Sequence, residues 1–188
     1  MELIGIAGRK GAGKDTAAEV LVAAGYENVK FAGALKAMMY AFANYVGIEP
    51  ETAKRLIDGD LKEQPNEHLG GKSFRWAMQT LGTEWGRELI FDGIWIRSFL
   101  SRAAMFDKGV CTDMRFPNEV ETVKSQGGTT LRVVDPRFKR PAEEHESESQ
   151  IDTLAVDYVV CNDKKTMSVE DLHATIVSMF GDKFRVQA

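Results

Sequence analysis

Three observations in this 188-residue sequence predict an α/β fold: a five-stranded, mostly parallel sheet with helices on both faces. Short apolar, β-branched runs recur along the chain and alternate with segments of helical spacing, the pattern of strands joined by crossing helices. The first run passes straight into a glycine-rich loop, GRKGAGKDT at residues 8–16, which opens a helix. A long middle stretch, about residues 33–106, is mostly of helical spacing and predicts a helical insertion within a single domain of residues 1–188.

Taken in order, residues 2–7 (ELIGIA) are the first strand, and residues 14–24 set Ala17, Val20, Leu21 and Ala24 at helical spacing. Residues 28–32 (NVKFA) are the second strand. Residues 33–46 space Leu35, Met38, Met39, Phe42 and Val46 as a buried helix, with both methionines as core filler. Residues 50–59 read as a short helix closed by glycine, and residues 60–72 as a polar loop broken by Pro65, Gly70 and Gly71. Ser73 caps a helix expected to run through FRWAMQTLGTEWGRELI, and another follows over about residues 94–106. Strands at residues 110–112, 129–134 and 157–161 then alternate with helices at 117–126 and 168–180. Ser168 caps the last helix, and Glu170 and Asp171 lie in its first turn. Ligands of parallel sheets gather at the carboxyl ends of the strands, where Gly8, Asp113 and the loop after Val134 converge.

Composition narrows the function. With 44% apolar and 28% charged residues the chain builds an ordinary globular core, and a net charge of −4 lacks the basic excess that nucleic acid calls for. The N-terminal apolar run is too short for a signal peptide or a membrane anchor, so a cytoplasmic protein without a membrane partner is expected. Cys111 and Cys161 sit in strand-like runs and read as small buried hydrophobes, while His68, His145 and His173 form no zinc ligand set. Oligomeric state is open, and a homodimer is compatible with the sequence.

The chemistry starts at residues 8–16. In GxxxxGK the glycines let backbone amides face a phosphate and the lysine adds charge at the β and γ groups, which makes Gly8, Lys10, Gly11, Ala12, Gly13, Lys14, Asp15 and Thr16 an ATP cradle. A three-layer P-loop NTPase fold follows. Asp15 occupies the place where a serine or threonine hydroxyl meets Mg²⁺, so either Asp15, through water, or Thr16 takes the metal, and Asp113 at a strand end is the third candidate. Phosphoryl transfer needs positive charge around the moving group. Arg75, Gln79, Thr83 and Arg87 recur every four residues as one polar ridge, and Gly82 within it signals a close approach. In residues 135–150, Arg137, Lys139 and Arg140 are candidates for a lid that closes over the nucleotide, with His145 orienting the loop. Trp76, Trp85 and Trp95 read as core.

With these residues in place, the chain resembles the bacteriophage deoxynucleoside monophosphate kinases, a branch of the P-loop nucleoside monophosphate kinase group. The resemblance rests on GRKGAGKDT, FAGALK at Phe31, Arg75 and Gln79, LGTEWGR at Leu81, DMRFPNE at Asp113, HESE at His145 and DYVVCND at Asp157. It implies ATP, Mg²⁺ and a deoxynucleoside 5′-monophosphate, with Lys36, Arg75, Gln79, Thr83, Arg87, Asp113, Arg115 and Glu119 as substrate or metal contacts. Lys14, Arg87, Arg137 and Arg140 are the expected catalytic set. The rival readings are dephospho-coenzyme A kinase, another small-molecule kinase on the same core, and a P-loop switch or nucleic-acid-associated ATPase.

Overall fold

In the computed structural model, which describes residues 1–138 and 150–181, β1 (Glu2–Ala7) is the middle strand of a five-stranded sheet ordered β2-β3-β1-β4-β5. The other strands are β2 (Glu27–Asn28), β3 (Lys108–Met114), β4 (Thr129–Val134) and β5 (Tyr158–Cys161), and every pairing is parallel. The sequence of β1 explains its place: Leu3, Ile4, Ile6 and Ala7 are all buried, so the strand is apolar on both faces. On one face Ile4 and Ile6 join Val110, Leu131, Val133 and Val160. That layer packs against Ala17, Ala18 and Leu21 of α1 (Lys14–Ala23) and Leu172, Ile176 and Phe180 of α7 (Val169–Phe180). On the other face α6 (Pro117–Ser125) brings Val123 to 3.3 Å from the point a Cβ on Gly5 would occupy. The result is the three-layer α/β fold that the sequence predicts, and the parallel strands deliver the loops after β1, β3, β4 and β5 to one edge.

The chain divides into two compact units, Met1–Lys30 with Arg102–Ala188, and Phe31–Ser101. The second is helical. It holds α2 (Gly33–Tyr45), α3 (Pro50–Ile57), α4 (Phe74–Thr80), a π-helix (Leu81–Ile90) and most of α5 (Ile94–Ala103). Met39, Ala43, Ala53, Leu56, Ile57 and Phe74 form its core, and Phe31 stacks on Phe99 with ring centroids 4.0 Å apart. Among the described residues no helix is long and apolar enough to cross a membrane.

Several details depart from expectation. β2 keeps only two residues, because after Val29 donates its amide to the Val110 carbonyl at 2.9 Å the chain leaves the sheet toward α2. Cys161 and Met38 are exposed. β5 is an edge strand on which Val160 alone is buried, and Met38 lies on the outer side of α2 while Met39 faces the core. The helix starting at Ser73 is capped as predicted, its hydroxyl accepting from the Trp76 amide at 3.1 Å, but its turns widen from Leu81 onward. The cause is Trp95, whose indole Nε1 donates to the Gly82 carbonyl at 2.7 Å and competes for an acceptor of the regular helical ladder.

Candidate functional site

The loop from β1 into α1 has positive φ at Gly8, Gly11 and Gly13 (149°, 81° and 102°). Gly13 is the N-cap of α1 and no side chain caps the helix, so its first amides and the positive end of its dipole face the loop mouth. Lys14 folds its stem over Gly8 and donates Nζ to the Arg9 carbonyl at 3.0 Å, which brings a cation to the same mouth. Amides, helix end and ammonium converge on the loop mouth, an arrangement that suits an anion. Behind it, Asn162 donates to the Ala12 carbonyl, Lys164 to the Gly11 carbonyl, and His173 Nε2 lies 2.8 Å from the Thr16 carbonyl oxygen.

Asp15 stands on the first turn of α1 in a three-residue cluster. The Thr112 hydroxyl donates to Asp15 Oδ1 at 2.7 Å, and Lys30 donates to Thr112 Oγ1 at 3.1 Å and to Asp15 Oδ1 at 3.4 Å. Burial pushes the Asp15 carboxyl up, but the Thr112 hydrogen bond and the charges of Lys30 and Lys14 outweigh it and hold the group below its ordinary range. Lys30 and Thr112 were not anticipated from the sequence. Asp113 is half-buried beside Thr112, where β3 advances three residues, Cys111 to Met114, while β1 advances two, Gly5 to Ala7. Such a shift re-aims side chains at a strand end.

Beside the cradle is a cavity of about 550 Å³ lined by residues 8–12, residues 132–138 and Asp152. Arg9 is buried there, donating to Asp152 at 2.7 and 3.1 Å, and the Phe138 ring lies 4.7 Å from its guanidinium. Arg137 also lines this cavity and donates to Asp135 at 2.9 and 2.7 Å, and that pairing lowers the Asp135 carboxyl to about 2. Arg140, Lys139 and His145 lie outside the described residues.

In the helical unit, Arg75 on α4 pairs with Glu63 at 3.2 Å and Arg87 on the π-helix pairs with Asp92 at 3.1 Å. Gln79 and Thr83 between them are half-buried. Lys36 pairs with Asp58, which also accepts from the Tyr40 hydroxyl at 2.7 Å. The close approach signalled by Gly82 is internal: a Cβ there would meet Leu35 at 3.0 Å. Trp95 is buried and Trp85 lies 6.4 Å from it, but Trp76, expected in the core, is exposed under Lys72. In the sheet unit Glu119, expected as a substrate contact, lies at the start of α6. It is buried and accepts from the Arg115 and Phe116 amides at 2.7 and 3.2 Å, so it supports the turn that presents Arg115.

These residues fit a magnesium–nucleotide pair. Mg²⁺ keeps several waters and binds through one or two carboxylates together with substrate phosphates. Asp15, with its side chain 74% exposed at the cradle mouth, offers such a carboxylate, and no cluster of three or more His, Cys, Asp or Glu poised for a metal occurs among the described residues.

Comparison with known proteins adds an independent line. A sequence model of the family described as deoxynucleotide monophosphate kinase matches residues 60–176, a span that leaves out the phosphate loop. A protein of Acanthamoeba polyphaga mimivirus, provisionally named a deoxynucleotide monophosphate kinase, is 26% identical over 198 residues, covering 95% of each chain. Similar solved structures include TT1252 from Thermus thermophilus, 20% identical over 96% of each chain with a TM-score of 0.48. Another is a sugar kinase from Janibacter sp. HTCC2649, solved without ligand. It is 14% identical over 96% of this chain and 94% of that one, with a TM-score of 0.43.

Proposed function

The chain belongs to the deoxynucleotide monophosphate kinase family, and on that premise we propose that it transfers the γ-phosphoryl group of ATP to a deoxynucleoside 5′-monophosphate. The bond from the γ-phosphorus to the β,γ-bridging oxygen breaks, a bond to an acceptor phosphate oxygen forms, and ADP and the deoxynucleoside diphosphate leave. The observation that carries the reading is the uncapped N-terminus of α1 facing the mouth of the loop at residues 8–13. The family match lies outside that loop, so motif and family support the same chemistry separately. The ordered motif series further supports a bacteriophage-type member.

The loop amides and Lys14 hold the donor phosphates. Asp15 is the favoured metal ligand, with Thr16 and Asp113 as further candidates, and bound Mg²⁺ would neutralise charge on the phosphate oxygens. Arg137 lines the cavity paired with Asp135 and is the candidate to swing toward the transferring group, together with Arg140, two residues beyond Phe138 and outside the described residues. Lys36, Arg75, Gln79, Thr83 and Arg87 bind the acceptor, with Arg75 or Arg87 holding its phosphate, and Arg115 is presented on the turn that Glu119 supports. The protein acts in the cytoplasm.

A coupled ADP-release assay tests this, run with each deoxynucleoside and ribonucleoside monophosphate and with dephospho-coenzyme A. ADP release that depends on a deoxynucleoside monophosphate is expected. Release with dephospho-coenzyme A alone, or equal release without any acceptor, would overturn the reading.

A further inference from the structure

The phosphate loop is held from behind by a segment that the proposed chemistry does not use, the residues that follow β5. Asn162 is only 4% exposed and donates Nδ2 to the Ala12 carbonyl at 2.8 Å. Its own backbone amide donates to the Val134 carbonyl at 2.8 Å, which ties it to the end of β4. A Cβ on Gly13 would stand 2.3 Å from Asn162 Nδ2, so the side-chain amide fills the space behind the loop and would have to shift for any other residue at position 13. Lys164 donates to the Gly11 carbonyl.

A peptide plane fixes the carbonyl of one residue opposite the N–H of the next. Holding the Ala12 carbonyl backward therefore points the Gly13 N–H forward, toward the anion. Holding the Gly11 carbonyl orients the Ala12 N–H, which closes the loop by donating to the Arg9 carbonyl at 3.1 Å. A loop with three positive-φ glycines has little intrinsic preference for one set of peptide orientations. Donors on its far side supply that preference before any ligand arrives.

We propose that Asn162 and Lys164 are positioning residues that pre-set two successive peptide planes of the phosphate loop: Asn162 turns the Gly13 N–H toward the triphosphate of ATP, and Lys164 holds the Ala12 N–H in the bond that closes the loop, so the cradle needs no reorganisation. The inference rests on the reading of residues 8–16 as the ATP phosphate site. It assigns to the DYVVCND motif a task aimed at the donor and not at the acceptor.

The test separates donor from acceptor. Asn162→Leu should raise KM for ATP, and weaken binding of inorganic tripolyphosphate measured by calorimetry, by about tenfold, the effect of losing one hydrogen bond in a buried setting. Its KM for the monophosphate and its kcat at saturating ATP should stay within about threefold of wild type. Lys164→Met should give the same split at about threefold, and Lys164→Arg, which keeps a donor, should restore it. A folded Asn162→Leu with wild-type tripolyphosphate affinity, or equal rises in both KM values, overturns the assignment. If Asn162→Leu does not fold, unchanged tripolyphosphate affinity in Lys164→Met, an exposed position, overturns it instead. Wild-type protein that binds tripolyphosphate but phosphorylates no monophosphate would sink the kinase reading, and the binding arm would still decide this one. Wild-type protein that binds neither ATP nor tripolyphosphate would sink both.

Discussion

At Asp15 the side chain's charge depends on two neighbours far away in sequence. Thr112 lies 97 residues on and Lys30 lies 15 residues on, and together with Lys14 they offset the desolvation that would otherwise raise the carboxyl. A carboxyl depressed in the folded state stabilises the protein above its ordinary pKa, near 4, and that contribution disappears as pH falls through the lower folded value. Thr112→Val should therefore move the Asp15 titration upward, and with it the acid limb of kcat/KM, as read by carboxyl NMR and a pH–rate profile. An unmoved titration would show that the hydroxyl does not hold the charge. At Arg87 and Arg137 the expected loss is in rate. Alanine at either should lower kcat by about 10³ to 10⁵ if it stabilises the transferring group, and near-normal turnover in both variants would remove them from the mechanism. Arg87→Ala orphans Asp92, which is 72% exposed, whereas Arg137→Ala orphans Asp135, whose side chain is 15% exposed, so circular dichroism of both variants accompanies the rate measurement. The placement of Lys14 and Asp15 at the loop mouth was legible in the sequence, since it follows from their spacing to the glycines. Lys30 was illegible because only the folded sheet brings its ammonium to Thr112.

At the scale of elements, the π-helix shows what spacing conveys and what it hides. The four-residue recurrence of Arg75, Gln79, Thr83 and Arg87 was readable and so was the capping serine. The widening at Leu81 was not, since it depends on an indole arriving from α5. It also affects the ridge. A four-residue step overshoots one turn of an α-helix and falls short of one turn when hydrogen bonds span five residues, so the drift of α4 is opposed along the π-helix and the four polar side chains keep closer to one line. Gly86 is the residue on which this packing depends. A Cβ there would lie 2.5 Å from the Trp95 ring, and Gly86→Ala should cost about 1–3 kcal/mol in urea denaturation through overpacking, even though alanine is the better helix former. A stabilised variant would mean that the ring moves aside freely. The edge position of β5 was likewise invisible locally: YVVC looks like a buried strand, and only its place outside β4 leaves Tyr158, Val159 and Cys161 exposed.

For the whole molecule, the alternation of strands and helices and the loop between the first pair were enough to read an α/β class with a parallel sheet. Strand order was not readable, because β1 pairs with β3 across a helical insertion, Ile4 against Val110. That separation should govern folding. Phe31–Ser101 is one continuous stretch of chain, whereas the sheet must close across that whole stretch before its central ladder forms. Pulse-labelling hydrogen exchange should find amides of α2 and α3 protected before those of Ile4 and Ile6, and the reverse order would place the nucleus in the sheet. The division also has an optical consequence. All three tryptophans, Trp76, Trp85 and Trp95, fall in Phe31–Ser101. Tryptophan emission, excited apart from tyrosine, therefore watches the helical unit alone, while circular dichroism sees both units. Tryptophan emission that changes when ATP is added would report a change in the helical unit itself.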